Sequence, residues 1–171
     1  KLSIKVHYAK QMMLDEQVLV SKRTAETFHI DLSCFAEDLE NFLVQSASVD
    51  GKDFSSVTYA AGTLTLDTAT LGEMVGEGRI FANFANGNDR TLVKINIFAS
   101  DMVICSAGDL QRFPEIMQKY PAGYYILGDD IDYTGFTYTN NNDVSFTGIF
   151  DGRGYTIYNL CTKTNAGDAL H

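Results

Sequence analysis

Three aspartates, Asp129, Asp130 and Asp132, are the residues whose type and spacing come closest to a chemical site. Carboxylate oxygens are ligands for Ca²⁺, and further oxygen donors follow at positions 140–143 and at Asp151. The spacing matches no defined calcium loop such as that of the EF-hand. Because aspartate and asparagine also accept the hydrogen bonds that close turns, we interpret these residues as turn residues. We therefore expect no cofactor, with a Ca²⁺ site at the three aspartates as the alternative.

Carboxylate pairs can also act as acid and base in glycoside cleavage, but the sequence offers little to support such a reaction. Its three histidines are His7, His29 and His171, which lie in predicted strands or at the end of the sequence. None of them forms a recognisable motif with a serine or cysteine nucleophile. We therefore expect that the chain is not an enzyme.

Aromatic residues are concentrated in the last third of the chain. Ten of the twenty lie between Tyr120 and Tyr158. Exposed tyrosines can stack on sugar rings or anchor a protein interface, although most rings in a folded domain belong to its core. We expect Tyr133, Tyr138 and Tyr158 to be exposed, which makes them the candidate ligand-binding residues.

The charge pattern argues against two classes of partner. The formal net charge is −9, and the largest basic cluster is the pair Lys22-Arg23, so nothing would neutralise a run of phosphates. No apolar run approaches the roughly 20 residues that cross a bilayer. We therefore expect neither nucleic-acid binding nor membrane insertion.

The three cysteines, Cys34, Cys105 and Cys161, are an odd number at wide spacings. Such spacing contains no metal-ligand motif and excludes a disulfide framework. Buried, reduced cysteine is the interpretation that we favour, and Cys105 with Cys161 is the one pairing that we consider.

Residues 1–100 carry the pattern of a series of short strands. Apolar and polar residues alternate, as expected for half-buried strands, and glycine-containing turns separate the segments. About seven strands in this length, with regular turn signals, are typical of an immunoglobulin-like β-sandwich. The alternating segments are 2–8, 27–32, 63–66, 78–84 and 91–98, and the turns are at 50–51, 61–63 and 86–90.

A helix is predicted to begin after Ser106. This residue is a suitable N-cap, with Asp109 three positions later, and apolar residues follow at helical spacing. Pro114 lies inside the span, where we expect it to break or restart the helix. The apolar stripe, which should face a core, consists of Leu110, Phe113, Ile116 and Met117.

From Gly123 onward, short strands alternate with turns rich in Asp, Asn and Gly. Strands of this length with such corners are what a β-solenoid coil requires, because corner residues adopt positive φ. We interpret the glycines as turn glycines and the apolar residues as the filling of the coil. The turn residues are Gly148, Asp151, Gly152 and Gly154, the polar loop is 138–143, and the filling residues are Phe146, Phe150, Ile157 and Leu160.

Two stretches of the sequence resemble known families. The first runs through Phe28-His-Ile-Asp-Leu-Ser33, Val49-Asp-Gly51, Gly62-Thr-Leu-Thr-Leu66 and Gly76-Glu-Gly78. It resembles the immunoglobulin-like modules of bacterial surface proteins, without the Cys and Trp hallmarks of antibody domains.

The second stretch covers residues 103–160. It contains Val103-Ile-Cys-Ser-Ala-Gly-Asp-Leu-Gln-Arg-Phe113, Gly123-Tyr-Tyr-Ile-Leu-Gly-Asp-Asp-Ile-Asp132 and Phe146-Thr-Gly-Ile-Phe-Asp-Gly-Arg-Gly-Tyr-Thr-Ile-Tyr-Asn-Leu160. These strings are similar to the opening coil of bacterial surface β-helix proteins with GLUG-type repeats. The sequence departs from that pattern at Gly108 and Tyr133.

The resemblance implies an extracellular protein of the bacterial cell surface. Its fold would be all-β, with an immunoglobulin-like β-sandwich over residues 1–100. Residues 101–171 would form a short capping helix and the first coils of a truncated, right-handed parallel β-helix. A helix is a reasonable cap because an open coil end exposes backbone donors and acceptors. The opposite end, left open, would be a surface for self-association.

The implied function is that of a non-catalytic, adhesin-like module that spaces or presents a binding surface for a host protein or a glycan. The alternative is an accessory carbohydrate-binding domain of an extracellular polysaccharide-degrading enzyme. Many further coils or sandwich modules in the full-length gene product would favour the adhesin-like module.

Overall fold

The computed structural model describes residues 10–139 and 145–163. The chain divides into two compact units, Lys1–Ala99 and Ser100–His171. Strands dominate both, and the described residues contain one α-helix, so the fold of this part is all-β with a single helix. No helix in these ranges is long and apolar enough to span a membrane.

The first unit is built from eight strands and two short 3₁₀ turns in its described residues. The strands are β1 (Lys10–Ser21), β2 (Thr27–Asp31), β3 (Leu43–Val49), β4 (Lys52–Asp53), β5 (Val57–Ala60), β6 (Thr63–Asp67), β7 (Gly76–Asn86) and β8 (Asp89–Ser100), and the 3₁₀ turns are Ser33–Phe35 and Ala69–Leu71. They form a five-stranded sheet in the order β1-β8-β7-β3-β4 and a three-stranded sheet in the order β2-β6-β5.

One hydrophobic core takes side chains from both sheets of the first unit. Successive residues of a strand point to opposite faces, and β8 accordingly buries every second residue from Thr91 to Ala99. In β2, Phe28 and Ile30 are buried between exposed neighbours. The side chains that are completely buried include Leu64, Leu66, Ile80, Phe84 and Ile95.

Two-residue turns connect three of the strand pairs. Asp50-Gly51 and Ala61-Gly62 have positive φ at both positions, which is the type I′ geometry whose twist matches that of a hairpin. The turn between β7 and β8 also has two residues, because Asn86 pairs with Asp89. The predicted hairpin is thus confirmed, but its predicted five-residue turn is wrong. Gly87, with φ of 56°, lets the chain reverse within two residues.

The sequence pattern does not predict β1. The strand's period-2 alternation is interrupted by an exposed polar run at residues 15–17, between two apolar pairs. The strand predicted at residues 2–8 lies outside the described residues. The inward face of β1 is formed by Met12, Leu14, Val18 and Val20.

The second unit contains helix α1 and seven short strands in its described residues. These elements are β9 (Met102–Ile104), α1 (Ala107–Lys119), β10 (Tyr124–Leu127), β11 (Ile131–Asp132), β12 (Tyr138–Thr139), β13 (Ile149–Asp151), β14 (Ile157–Tyr158) and β15 (Thr162–Lys163). The loop predicted at 138–143 begins instead as strand β12, and its residues 140–143 lie outside the described ranges.

The described strands of the second unit pair only in parallel. β10 lies between β9 and β13, β11 pairs with β14, and β12 pairs with β15. Partner residues are 25, 26 and 24 positions apart in the three pairs Tyr124–Ile149, Ile131–Ile157 and Tyr138–Thr162. The chain therefore passes each of three strand positions again after about 25 residues.

Helix α1 begins at the predicted N-cap. The Asp109 backbone N–H donates to the Ser106 hydroxyl over 3.1 Å, and this hydroxyl donates to the Asp109 carboxylate over 2.8 Å. The carboxylate also accepts from the Cys105 backbone N–H. The bond to Ser106 satisfies an amide group that a helix leaves unpaired at its start. The predicted N-cap at Ser106 is thus confirmed.

Pro114 does not break α1, and this prediction is wrong. A proline inside a helix removes one backbone hydrogen bond, but α1 continues to Lys119 because its apolar stripe is held by a core. The helix packs against β9, the first strand of the parallel stack. Residues of this core are Met102, Ile104, Leu110, Ile116, Met117, Tyr125, Leu127, Ile131 and Tyr133.

Gly148 has a different role from the turn glycine that the sequence predicts. Gly154 is a turn residue with φ of 84°, whereas Gly148 has no positive φ. A β-carbon on Gly148 would overlap the carbonyl oxygen of Gly123 and lie 2.9 Å from the Gly123 nitrogen. Gly148 is therefore required because its backbone and that of Gly123 approach each other closely.

The residues expected to fill the last coil are not buried in it. Phe146, Phe150 and Leu160 are exposed, and Ile157 is half-buried. The reason is their position, because β13, β14 and β15 are the outermost strands of their stacks in the described residues. Nothing in that part of the chain covers these strands from the outer side.

Candidate binding surface of the second unit

The predicted metal ligands Asp129 and Asp130 serve as hydrogen-bond acceptors at a corner. The Asp130 backbone N–H donates to Asp129 Oδ1 over 2.7 Å. Asp130 Oδ1 accepts from the backbone N–H of Thr156, also over 2.7 Å. Because Thr156 directly precedes β14, the parallel partner of β11, Asp130 ties the turn before β11 to the start of β14.

Asp132 makes a similar connection with more partners. Its Oδ1 accepts from the Thr134 backbone N–H over 3.0 Å and from the Thr134 hydroxyl over 2.7 Å. The Asn159 side-chain amide donates to the same oxygen over 2.9 Å and to the Thr134 hydroxyl over 3.0 Å. The hydrogen bonds from Asn159 and Thr134 hold the pKa of Asp132 below its usual value.

The three aspartates are not arranged as a set of metal ligands. In residues 10–139 and 145–163, no group of three or more His, Cys, Asp or Glu side chains could hold a metal ion. Asp151, a further candidate donor, accepts from the Arg153 backbone N–H and from the Tyr124 hydroxyl. Positions 140–143 lie outside the described ranges.

Replacing Asp132 with asparagine is expected to lower the melting temperature of the second unit at pH 7. Because the pKa is lowered in the folded state, the carboxylate stabilises the fold above the ordinary value of 3.8. This contribution is lost as the pH falls through the lowered folded pKa, so variant and wild type should converge there. Thermal unfolding at several pH values measures both effects. Asp129→Asn removes a charge from the turn before β11 and should change the melting temperature less.

The three candidate tyrosines have different surroundings. Tyr158 is 48% exposed, as expected, and Tyr138 is half-buried. Tyr133 is only 1% exposed, so its expected exposure is wrong. The reason is strand alternation: Ile131 and Tyr133 point inward on either side of the exposed Asp132.

A small polar cleft lies beside the buried tyrosine. It has a volume of about 200 Å³ and is lined by Gln111, Pro114, Tyr133, Thr137 and Tyr138. Within the described residues, the Tyr133 hydroxyl is the buried side-chain polar atom that makes no hydrogen bond of normal geometry, although the side chain of Gln111 lies close enough to interact with it. Burial raises the pKa of Tyr133, an effect that Gln111 partly opposes, and burial also raises the pKa of Tyr138. Both hydroxyls therefore stay protonated and can donate a hydrogen bond at neutral pH.

The first unit has a separate groove of about 580 Å³ between β1 and the segment that follows β2. His29, Asp31 and Cys34 are among its lining residues. The Nδ1 atom of His29 is 2.9 Å from the Thr65 hydroxyl, so this nitrogen is engaged with threonine rather than with the thiol. Hydrogen bonds from Ser33 lower the pKa of Asp31.

The cysteines are free and exposed, which corrects the expectation that they are buried. Cys34 lies in a 3₁₀ turn, Cys105 lies between β9 and α1, and Cys161 precedes β15. These are connecting positions rather than inward-facing strand positions, and loops run over the surface. Desolvation raises the pKa of Cys105, with the negative charges of Asp109 and Asp129 adding to the effect.

No protein-family model matches this sequence, and no curated protein matches it either. The two family resemblances described above therefore remain predictions.

Proposed function

We propose that the chain is a non-catalytic, adhesin-like module of an extracellular bacterial surface protein. In this proposal the first unit is an immunoglobulin-like β-sandwich, and the second is a capping helix followed by the opening coils of a right-handed parallel β-helix. The module spaces or presents a surface that binds a host protein or a glycan.

The observation that carries the proposal is the parallel pairing of β10 with β13, β11 with β14 and β12 with β15. Each pair joins residues about 25 positions apart, which is the spacing of one coil in a three-sided solenoid. Solenoids extend a chain in one direction and are common scaffolds for extended binding surfaces. A stacked fold that follows a sandwich in the chain suits a protein that presents a binding surface.

A glycan is the ligand that the cleft beside Tyr133 favours. The side chains of Gln111, Thr137 and Tyr138 can all form hydrogen bonds there. The cleft is several times larger than the roughly 30 Å³ that one water takes up in the liquid. The hydroxyl of Tyr138, which is protonated at neutral pH, suits a sugar hydroxyl, which both donates and accepts. This observation also supports the alternative, an accessory carbohydrate-binding domain of a polysaccharide-degrading enzyme.

Binding assays with the intact chain test the proposal. The wild-type protein is applied to a glycan array and to immobilised fibronectin, collagen and laminin. We expect binding to at least one probe, and we expect Tyr138→Ala to abolish binding to glycans by removing one wall of the cleft. If Tyr158→Ala rather than Tyr138→Ala abolished glycan binding, the ligand would bind at the exposed outer surface.

Leu43→Ala is the matched control, because Leu43 is 71% exposed but lies in the first unit. Circular dichroism of each variant verifies that it is folded. A wild-type chain that binds no probe, or variants that bind as the wild type does, would contradict the proposed surface.

A further inference from the structure

One side of the first unit brings together the edges of its two sheets. Within the described residues, β1 is the outermost strand of the five-stranded sheet and β2 is the outermost strand of the three-stranded sheet. Residues of both strands line one continuous groove with a volume of about 580 Å³. We call it the first-unit groove. An outermost strand can pair with a further strand through its backbone N–H and C=O groups, so the groove lies where such a strand would bind.

The hydrogen-bond pattern of β2 shows which of its backbone groups face away from β6. In an antiparallel pair, every second residue exchanges backbone hydrogen bonds with its partner. The Leu32 N–H, directly after β2, donates to the Gly62 carbonyl over 2.7 Å, so the even-numbered residues are the bonded ones. The backbone groups of His29 and Asp31 therefore point away from β6. Within the described residues these groups have no backbone partner, and both residues line the groove.

The first-unit groove is acidic. Its lining includes the carboxylates of Asp15, Glu16 and Asp31, and its described lining residues include no lysine or arginine. Asp15 and Glu16 are exposed at the middle of β1. Hydrogen bonds from Ser33 lower the pKa of Asp31, which favours its charged form at neutral pH. Charge complementarity therefore favours a partner that carries lysine or arginine side chains.

Apolar side chains line the same groove beside the carboxylates. Met13 is 45% exposed, and Leu14, Val18 and Phe35 are only partly buried against the core. Side chains of an extended peptide point alternately to its two faces. A peptide in which basic and apolar residues alternate can therefore present its charges to the carboxylates and its apolar side chains to the rest of the lining.

A second copy of the chain is a poor match for this groove. The net charge of the chain is −9, and two facing grooves would bring two sets of the same three carboxylates together. Like charges placed opposite each other across an interface oppose binding. The groove therefore favours a different chain with positive charge.

We infer that the first-unit groove binds an extended, basic peptide segment of another protein, which adds as a strand to the free edge of β2. The backbone groups of His29 and Asp31 form the hydrogen bonds, and Asp15 and Glu16 select lysine or arginine. In this mode of recognition, main-chain hydrogen bonds give affinity and alternate side chains give specificity. The inference goes beyond the proposed function, because it concerns the first unit and requires neither the cleft of the second unit nor a glycan.

Fluorescence anisotropy with the intact chain and a short labelled peptide of alternating lysine and valine tests the inference. We expect saturable binding that weakens as salt rises, because salt screens exposed charges. A glutamate–valine peptide of the same length should not bind. A lysine–valine peptide with methylated backbone amides keeps its charge but loses its donors, and it should not bind either. Absence of saturable binding, or equal binding of all three peptides, would overturn the inference.

Glu16→Lys reverses one charge of the groove and should weaken peptide binding roughly fivefold. The matched control is Asp53→Lys, which changes the net charge by the same amount in β4, at the opposite edge of the same sheet. This control should bind as the wild type does. Both side chains are exposed, so both variants should fold, which circular dichroism verifies. Equal weakening by the two variants would mean that net charge alone attracts the peptide, against the inference.

Tyr138→Ala alters the cleft of the second unit and should leave peptide binding unchanged. Failure of the glycan proposal and failure of this inference are therefore distinguishable. Loss of peptide binding in the folded Tyr138→Ala chain would place the peptide outside the first-unit groove and overturn the inference.

Amide exchange followed by NMR reports on the edge of β2 itself. The amides of His29 and Asp31 should exchange rapidly in the free chain and gain protection with the peptide, whereas those of Phe28 and Ile30, which already bond to β6, should change little. Peptide binding without this protection would overturn the inference. Protection that grows with the concentration of the chain alone would assign the groove to a second copy. Peptide binding only after removal of residues 1–9 would assign it to the chain's own beginning, and either result would also overturn the inference.

Discussion

Replacing Gly148 with alanine is expected to destabilise the second unit by about 3 kcal/mol, at the upper end of the usual range for overpacking. The added methyl group would overlap the Gly123 carbonyl oxygen. A backbone atom cannot move aside as a flexible side chain can, so β10 and β13 must separate. Separation would strain the hydrogen bond from the Ile149 N–H to the Gly123 carbonyl, which is 2.9 Å long.

Hydrogen exchange followed by mass spectrometry measures this effect for each unit separately. Amides of β10 and β13 should lose protection, while those of the first unit should not change. Gly152→Ala is the matched control, because the nearest atom to its added β-carbon would be 3.8 Å away. A Gly148→Ala chain with wild-type protection of β10 would show that Gly148 and Gly123 do not approach as closely as described.

Replacing Tyr125 with alanine is expected to cost about 4 kcal/mol, as for other large aromatic residues in a core. The Tyr125 side chain is completely buried. Its ring makes an edge-on contact with Phe113 at 5.0 Å between centroids and lies 6.0 Å from the ring of Phe146. Its loss would leave a cavity between α1 and the parallel strands, so we expect unfolding of the second unit at a much lower denaturant concentration.

Tyr125→Phe separates packing from hydrogen bonding. This variant keeps the ring and loses only the hydrogen bond that the hydroxyl donates to the Tyr120 carbonyl. The expected cost is about 1 kcal/mol. Urea unfolding followed by circular dichroism compares the two variants. Equal costs for Tyr125→Ala and Tyr125→Phe would mean that the ring contributes little to the core.

Features that depend on neighbouring residues could be predicted from the sequence. Asp50-Gly51 reverses the chain because these two residues tolerate positive φ, and no distant contact is needed. Ser106 caps α1 through a bond to a residue three positions away. The inward stripe of the helix follows from its period alone.

Features that depend on distant residues could not be predicted. The close approach of Gly148 to Gly123 exists only because β10 and β13 are stacked, and nothing local at Gly148 reveals it. The sequence predicts that Pro114 breaks or restarts the helix, but tertiary packing maintains the helix through it. Whether the Tyr133 side chain points inward depends on where β11 begins, since a shift of one residue exchanges the inward-facing and outward-facing residues of a strand.

The candidate site was predicted in part. The sequence predicts that Asp130 and Asp132 accept hydrogen bonds at turns, but it does not identify their partners Thr156 and Asn159, which lie 26 and 27 positions away. The exposure of Tyr158 was expected. The cleft beside Tyr133 could not be predicted, because it forms only where α1 covers the strands.

The unequal separations of partner residues in the three parallel stacks, 25, 26 and 24 positions, have a consequence for sequence variation. Strand pairing holds the register of each parallel pair, while the corners between strands absorb differences in length. Insertions and deletions in related chains should therefore fall at corners and leave the strands intact. No exact sequence period describes these three strand pairs, whereas an alignment with gaps at the corners matches each strand with its parallel partner.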